Sequence, residues 1–323
     1  MSYAENIKEG FRLVNRNWPL VVIQFVMAVI GCVGFFVIVG IPLLAAVMAL
    51  GLNVSELTKL SDFLVKAESP LELLKEYLAV GLVVVVAVLV YLGFAVSLWL
   101  YVFGASAGVL GRALSLPGHR FALREFYSDG RRLFFPLLWY TSLVGLIFLG
   151  GFVLLGVLGG ILPALKFHET TFGLFLSVFF ALLAVVAGIL LTAASVALAL
   201  FGTGLMVFRG GGASQTLRGT LRFLRERPSA LGLFAVAAAG YVLVYFVFVL
   251  MALPFNLIPV VGPVLLLPYQ LFLYALQGYL NLVLMAVVVS YIHSTFSSAA
   301  EGPRISGEVP VQGPPQGPKV GTA

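Results

Sequence analysis

The chain's 19 Lys and Arg and 13 Asp and Glu residues all fall outside six long apolar stretches, at about 19–52, 79–111, 136–165, 173–208, 229–253 and 269–292. Each stretch is long enough to cross a ~30 Å hydrocarbon core, which takes about 20 helical residues. Lipid offers backbone N–H and C=O groups no hydrogen-bond partner, so only helices and closed barrels span it. Barrel strands alternate apolar and polar residues, whereas these runs are continuous. The expected fold is an all-α polytopic membrane bundle of six transmembrane helices. A composition of 61% hydrophobic and 10% charged residues excludes a soluble globular enzyme and a disordered chain. The single cysteine, Cys32, excludes a disulfide scaffold.

The cations set the orientation. Fifteen Lys and Arg lie in the N-terminal segment, the second–third and fourth–fifth connections and the C-terminal tail, while four (Lys59, Lys66, Lys75 and Lys166) lie in the opposite connections. The positive-inside rule then puts both termini in the cytoplasm. The net charge of +6 reflects this topology and anionic lipid headgroups, with no nucleic-acid partner required. The first stretch is far longer than the apolar core of a secretory signal, and Glu5 and Glu9 precede it, so it is expected to stay as the first helix.

The connections repeat an order of features. Ile7-Lys8-Glu9-Gly10-Phe11-Arg12-Leu13-Val14 before the first span matches Leu217-Arg218-Gly219-Thr220-Leu221-Arg222-Phe223-Leu224 before the fifth. Leu123-Arg124-Glu125-Phe126-Tyr127 before the third opens the same way and departs at Ser128-Asp129-Gly130. Pro19, Pro136 and Pro228 follow these segments, and proline at a helix start sacrifices no hydrogen bond. Further prolines, Pro42, Pro163 and Pro259, are expected to break the far turn of each unit. The sequence thus predicts one domain over 1–297, made of three parallel repeats at about 3–114, 118–209 and 213–297 and followed by a disordered Pro/Gly-rich tail over 298–323.

Ile7, Phe11 and Val14, like Leu217, Leu221 and Leu224, share one helix face, with Lys8, Arg12, Arg218, Arg222 and Arg225 turned away. Such collars lie in the headgroup plane with their cations, Arg124 included, near anionic lipid. They serve either as surface anchors or as a lipid-sensing or partner-docking surface. The outward connection 53–78 carries short leucine periodicities that suggest surface helices. The uncharged segment 253–268 holds four prolines and is either a tight apolar turn or a re-entrant loop.

Catalytic patterns are missing from the sequence. The spans hold no acid or base, and His119, His168 and His293 have no cysteine or carboxylate neighbours at metal-ligand spacing. Arg209-Gly210-Gly211-Gly212 lacks the lysine and the preceding strand of a phosphate-binding loop and reads as a flexible helix end. Cys32 reads as packing. No enzyme activity, metal or cofactor is expected. What remains is a polar stripe on the sixth span: Gln270, Tyr274, Gln277 and Asn281 recur on one helix face. Amides in hydrocarbon need partners, so this face should look into the bundle, where Tyr241, Tyr245, Thr141, Ser142, Thr192 and Ser195 offer hydrogen bonds. The stripe, with Tyr245, is either interhelical glue or a ligand or lipid contact. Gly104-x-x-x-Gly108, Gly156-x-x-x-Gly160, Gly202 and Gly204 read as close-packing faces, and Trp18 and Trp139 as interface anchors.

The collar Ile7-Lys8-Glu9-Gly10-Phe11-Arg12-Leu13-Val14, Pro19, Glu125-Phe126-Tyr127 with Gly130-Arg131-Arg132-Leu133-Phe134-Phe135-Pro136, and the six spans resemble a loose group of uncharacterised bacterial six-helix integral membrane proteins. In layout this group is similar to the membrane domain fused to some glycerophosphodiester phosphodiesterases. The resemblance covers about residues 5–297 and implies the bacterial cytoplasmic membrane. No phosphodiesterase metal-ligand set occurs in these 323 residues, so it implies no hydrolytic activity. The expected function is a non-enzymatic structural, lipid-interacting or assembly role, with membrane lipids as partners and a protein partner or second copy left open. The alternative is a transporter or lipid-translocating permease using the polar stripe.

Overall fold

In a computed structural model, which describes residues 3–49, 70–116, 118–164, 171–252 and 261–300, every element is helical. The elements are α1 (Tyr3–Arg16), α2 (Pro19–Phe35), a π-helical turn (Phe36–Gly40), α3 (Ile41–Ala49), α4 (Pro70–Ser115), α5 (Leu123–Ala164), α6 (Thr171–Arg209), α7 (Ala213–Glu226), α8 (Pro228–Met251) and α9 (Val261–Ala300). Among the described residues, six helical stretches are long and apolar enough to cross a membrane: Pro19–Ala46, Gly81–Ser115, Leu123–Val157, Phe175–Arg209, Pro228–Met251 and Pro268–Ser297. The leucine periodicity over 57–64, His168, residues 253–260 and the tail beyond residue 300 lie outside the described residues.

The prolines behave differently from the sequence expectation. Pro19 and Pro228 do stand in the first turn of α2 and α8. Pro136, by contrast, sits inside the continuous α5, so the middle collar runs straight into its span. Pro42 does not end the first span either. The helix passes through it by widening into the π turn just before, where the Ile41 N–H donates to the Phe36 carbonyl five residues back. A widened turn makes room for a proline ring that would otherwise strike the preceding turn. Pro163 stands one residue before the end of α5 at Ala164, Pro259 lies outside the described residues, and Pro268 is inside α9. At its other end α9 runs to Ala300, so the first residues of the expected tail are helical. Just before them Thr295 is buried, and the Phe296 ring meets Phe223 and the Arg209 guanidinium, contacts that offset the entropy of ordering the preceding turn.

The buried core gathers at one end of the bundle, where α1, the α4–α5 connection and the α6–α7 connection meet; these segments carry the arginines, and we call it the basic end. Its buried apolar residues lie in the last turns of α4 (Leu100, Val102, Val109, Leu110), the first half of α5 (Phe126, Leu133, Leu137, Tyr140) and the end of α6 (Phe201, Leu205). The start of α8 and the second half of α9 complete it. Beyond this zone the helices expose Ile30, Leu82, Leu89, Leu146, Leu154, Leu182, Leu190, Leu243 and Leu250.

Glycines follow the same division. At the basic end an added Cβ would press Gly10 onto Val287, Gly104 onto Leu133, Gly108 onto Asp129, Gly111 onto Val207, Gly130 onto Tyr101 and Gly202 onto the Tyr140 ring. Away from it, Gly34 still presses on Phe94 and Gly151 on Leu191, but Gly31, Gly81, Gly93, Gly145, Gly156 and Gly188 meet nothing within 4 Å. The sequence reading of Gly156 as a packing glycine is therefore corrected: a Cβ there would face open space. Close backbone approach is what drives helix association in lipid, where burying apolar surface gains little.

Tyr140 crosses to α6 over Gly202 and donates to the Leu198 carbonyl at 2.6 Å. Gly202→Val forces the ring out and should cost about 1–3 kcal/mol by overpacking. Gly156→Val, with open space around it, should leave thermal stability unchanged. Melting curves of the two purified variants in one detergent check the contrast, and equal losses in both would refute it.

Candidate functional site

The basic end is built on three collars whose buried positions keep one register. α1 buries Asn6, Gly10, Leu13 and Val14, and α7 buries Thr216, Thr220, Phe223 and Leu224. In α5 the corresponding Phe126, Asp129 and Gly130 are buried. In α1 and α7 the buried face is offset from the leucine-rich face read in the sequence: Leu221 is 51% exposed and Phe11 39%. Each of these two collars therefore packs one edge of its apolar stripe on the bundle and offers the other edge outward. All six interfacial cations named from the sequence, Lys8, Arg12, Arg124, Arg218, Arg222 and Arg225, are exposed.

Between α4 and α5 lies a charge network that sequence reasoning missed. Asp129 is fully buried, and its Oδ1 accepts from Arg112 Nη2 at 2.5 Å and lies 3.4 Å from Arg132 Nη2. Glu125 Oε2 is 2.7 Å from His119 Nε2 and 3.8 Å from Arg112 Nη1. Gly108 makes the carboxylate's seat, because a Cβ there would overlap Asp129. Nearby, Arg16 Nη2 donates to the Ala113 carbonyl at 2.5 Å, which ties α1 to the C-terminal turn of α4, where a cation is favoured. These groups fix charge and register and present no nucleophile. Among the described residues no cluster of three or more His, Cys, Asp or Glu could hold a metal ion. The clue in the sequence was the break at Ser128-Asp129-Gly130, where the middle collar leaves the shared pattern.

The sixth-span stripe does not face into the bundle as the sequence reading proposed. Gln270, Tyr274 and Asn281 are exposed, and only Gln277 is half-buried, paired with the Tyr241 hydroxyl on α8. Tyr245 is half-buried and stacks on Tyr241 at 6.4 Å between ring centroids. The reason is a change of surroundings along α9. Its second half is packed on every side, whereas the stripe sits largely on the first half, at the perimeter. Three of the proposed polar partners are spent on their own helices: Thr141 donates to Leu137, Thr192 to Gly188 and Ser195 to Thr192, all carbonyls. Cys32 is exposed rather than packed. Trp18 and Trp139 project outward at the basic end, at 63% and 69% exposure.

Asp129→Asn keeps the shape of the buried side chain but leaves Arg112 facing a neutral amide. It should cost roughly 2 kcal/mol, a figure held down because Arg112 is about one-third exposed. A double-mutant cycle with Arg112→Gln, read from thermal melts, should return a coupling of about 1–2 kcal/mol. Additive losses would show that the pair is not a unit. No family model, no curated protein and no solved structure matches this chain.

Proposed function

We propose that this chain is a non-enzymatic integral membrane protein with a structural, lipid-interacting or assembly role, held in the bacterial cytoplasmic membrane with both termini and the basic end inside. The observation that carries this reading is the collar geometry: each amphipathic segment buries one face against the bundle and turns exposed arginines and lysines outward beside exposed apolar residues. Cations next to apolar side chains match the boundary between anionic headgroups and acyl chains. The common burial register of α1, α5 and α7 supports three parallel repeats, and with them kinship to the membrane domain found beside some glycerophosphodiester phosphodiesterases. The exposed Trp18 and Trp139 suit the same boundary.

A second reading, a transporter or lipid-translocating permease, draws on the exposed Gln270, Tyr274 and Asn281. Unpaired amides at membrane depth are costly, so a passing solute, a headgroup or a partner helix must cover them.

Two measurements test these readings. In a Cys32→Ser background, Ser128→Cys and Ser297→Cys should resist a membrane-impermeant maleimide in intact spheroplasts and react after lysis. Reaction in intact spheroplasts would overturn the orientation. Protein reconstituted in liposomes should retain anionic lipid without moving solute or a fluorescent phospholipid. Saturable translocation lost in a folded Gln277→Ala/Asn281→Ala variant would establish the permease instead.

A further inference from the structure

Between α4 and α5, just past the middle collar, runs an open groove of about 360 Å³ that neither the collars nor the α9 stripe put to use. Its walls are Phe94, Ser97 and Tyr101 of α4 and Arg131, Phe134 and Phe135 of α5. Phe94, Ser97 and Tyr101 recur at i, i+3 and i+7, which keeps them on one face over two turns, about 10 Å. Because α4 finishes at the basic end, Tyr101 marks the groove's mouth and Phe94 its deeper end. Ser97 is the one small residue of the six, and its size leaves the space between the rings.

The groove is preformed, because glycines of α5 and α2 pin the rings at its two ends. A Cβ on Gly130 would lie 2.7 Å from the Tyr101 Cζ, so this ring rests directly on the α5 backbone. Its hydroxyl donates to the Tyr127 carbonyl at 3.1 Å. At the deeper end a Cβ on Gly34 would lie 2.7 Å from the Phe94 Cε1, so that ring rests on α2. Walls fixed in advance spare a ligand the entropy of ordering them.

The cations at the mouth supply the complement. Arg131 and Arg132 are neighbours in sequence with different uses. Arg132 Nη2 lies 3.4 Å from the buried Asp129, whereas Arg131 is exposed, borders the groove and pairs with no Asp or Glu among the described residues. An arginine of this kind lays its methylene stem along apolar surface and carries its charge beyond it. Arg124, two turns away on the same face of α5, is also exposed and pairs with no carboxylate among the described residues. An apolar groove below two unspent cations has the division of an anionic phospholipid, an acyl chain with a negative phosphate at its end.

We propose that the α4–α5 groove is a binding site for one anionic phospholipid, with an acyl chain between Phe94, Ser97 and Phe134 and the phosphate on Arg131. The site deepens the lipid-interacting reading and rests on it: the collars need only diffuse attraction, whereas the groove holds one molecule at a fixed place.

The test titrates the full chain in neutral detergent at constant ionic strength and follows its thermal shift. The probes are dioctanoyl phosphatidylglycerol, dioctanoyl phosphatidylcholine and inorganic phosphate. The phosphatidylglycerol should stabilise wild type saturably, the phosphatidylcholine severalfold more weakly and inorganic phosphate not at all. Arg131→Gln should raise the half-saturating phosphatidylglycerol concentration about fivefold, the upper weight of an exposed ion pair, and narrow the gap between the two lipids. Ser97→Leu should fill the groove and abolish saturation by both. A readout of position guards against a mere folding defect. In the Cys32→Ser background, phosphatidylglycerol should slow maleimide labelling of Ser97→Cys over the same concentration range and leave Thr192→Cys, exposed on α6, unaffected.

Equal binding of the two lipids, saturation by inorganic phosphate, or wild-type titration in Ser97→Leu would overturn the site. Equal weakening by Arg131→Gln and by Arg222→Gln, which lies on α7 away from the groove, would reduce the effect to diffuse charge and overturn it too. A dimer in light scattering that Ser97→Leu dissolves would give the groove to a second copy instead. Wild-type protein that retains anionic lipid from liposomes yet shows no saturable shift would fail the groove alone. Solute transport with the groove titrating as expected would fail the collar reading alone.

Discussion

The second half of α9 is the post on which the basic end stands. Residues 282–290 are all buried, and nine consecutive buried positions cover every face of a helix. That helix touches α1, α2, α4, α6 and α8. In lipid such a post gains little from hiding leucines, because the alternative neighbour is an equally apolar acyl chain. It is held instead by close contact, as where Gly10 of α1 rides directly on Val287 and Gly204 of α6 on Ile292. Polar ties are added at its rim: Tyr279 donates to Asn15 at 3.0 Å, and the hydroxyls of Ser229 and Tyr291 lie 2.9 Å apart.

Once the post is set, the collars have one way to pack. α1 and α7 each turn a face of small or slender residues inward, Asn6 and Gly10 in one and Thr216 and Thr220 in the other, with Leu13 and Phe223 following one turn on. The middle collar fills the Leu13 position with Asp129. That substitution brings Arg112 and Arg132 around a buried carboxylate and replaces an apolar contact with a charge-assisted one. Replacing an apolar contact by an ion pair is seldom a gain in stability alone, and the pair's more natural effect is to specify the register of α4 on α5.

The sequence made the spans legible because charge is forbidden in hydrocarbon, and the structure places six long apolar helices over the same stretches. The collars were legible by period. Which face they bury was not, since hydropathy ranks leucine above threonine and glycine, while close approach ranks them the other way. This is why Leu221 points outward and Thr220 inward. The stripe on α9 misled for a related reason. A polar residue in a span implies a partner, but the partner's direction depends on where the post is packed, and periodicity carries no such information. The Pro136 case is local: proline signals a helix start or an interior strain, and only its neighbours decide between them. Arg209 was visible as a lone cation at a helix end, yet its resting place over Phe296, 87 positions further on, is a long-range contact that no local pattern announces.

The unequal packing along the bundle axis has a mechanical meaning. At the basic end, helix positions are locked by ring-on-glycine contacts and side-chain ties; beyond it, such contacts thin out to Gly34 on Phe94 and Gly151 on Leu191, and most glycines there are open and the leucines bare. A bilayer that thins or thickens imposes a mismatch that helices absorb by tilting or bending, at a fraction of a kcal/mol per Å. The loosely held half yields first, since there is less there to break. Variation in membrane thickness is thus taken up at the far side, and the geometry of the arginine-bearing surface is buffered against it.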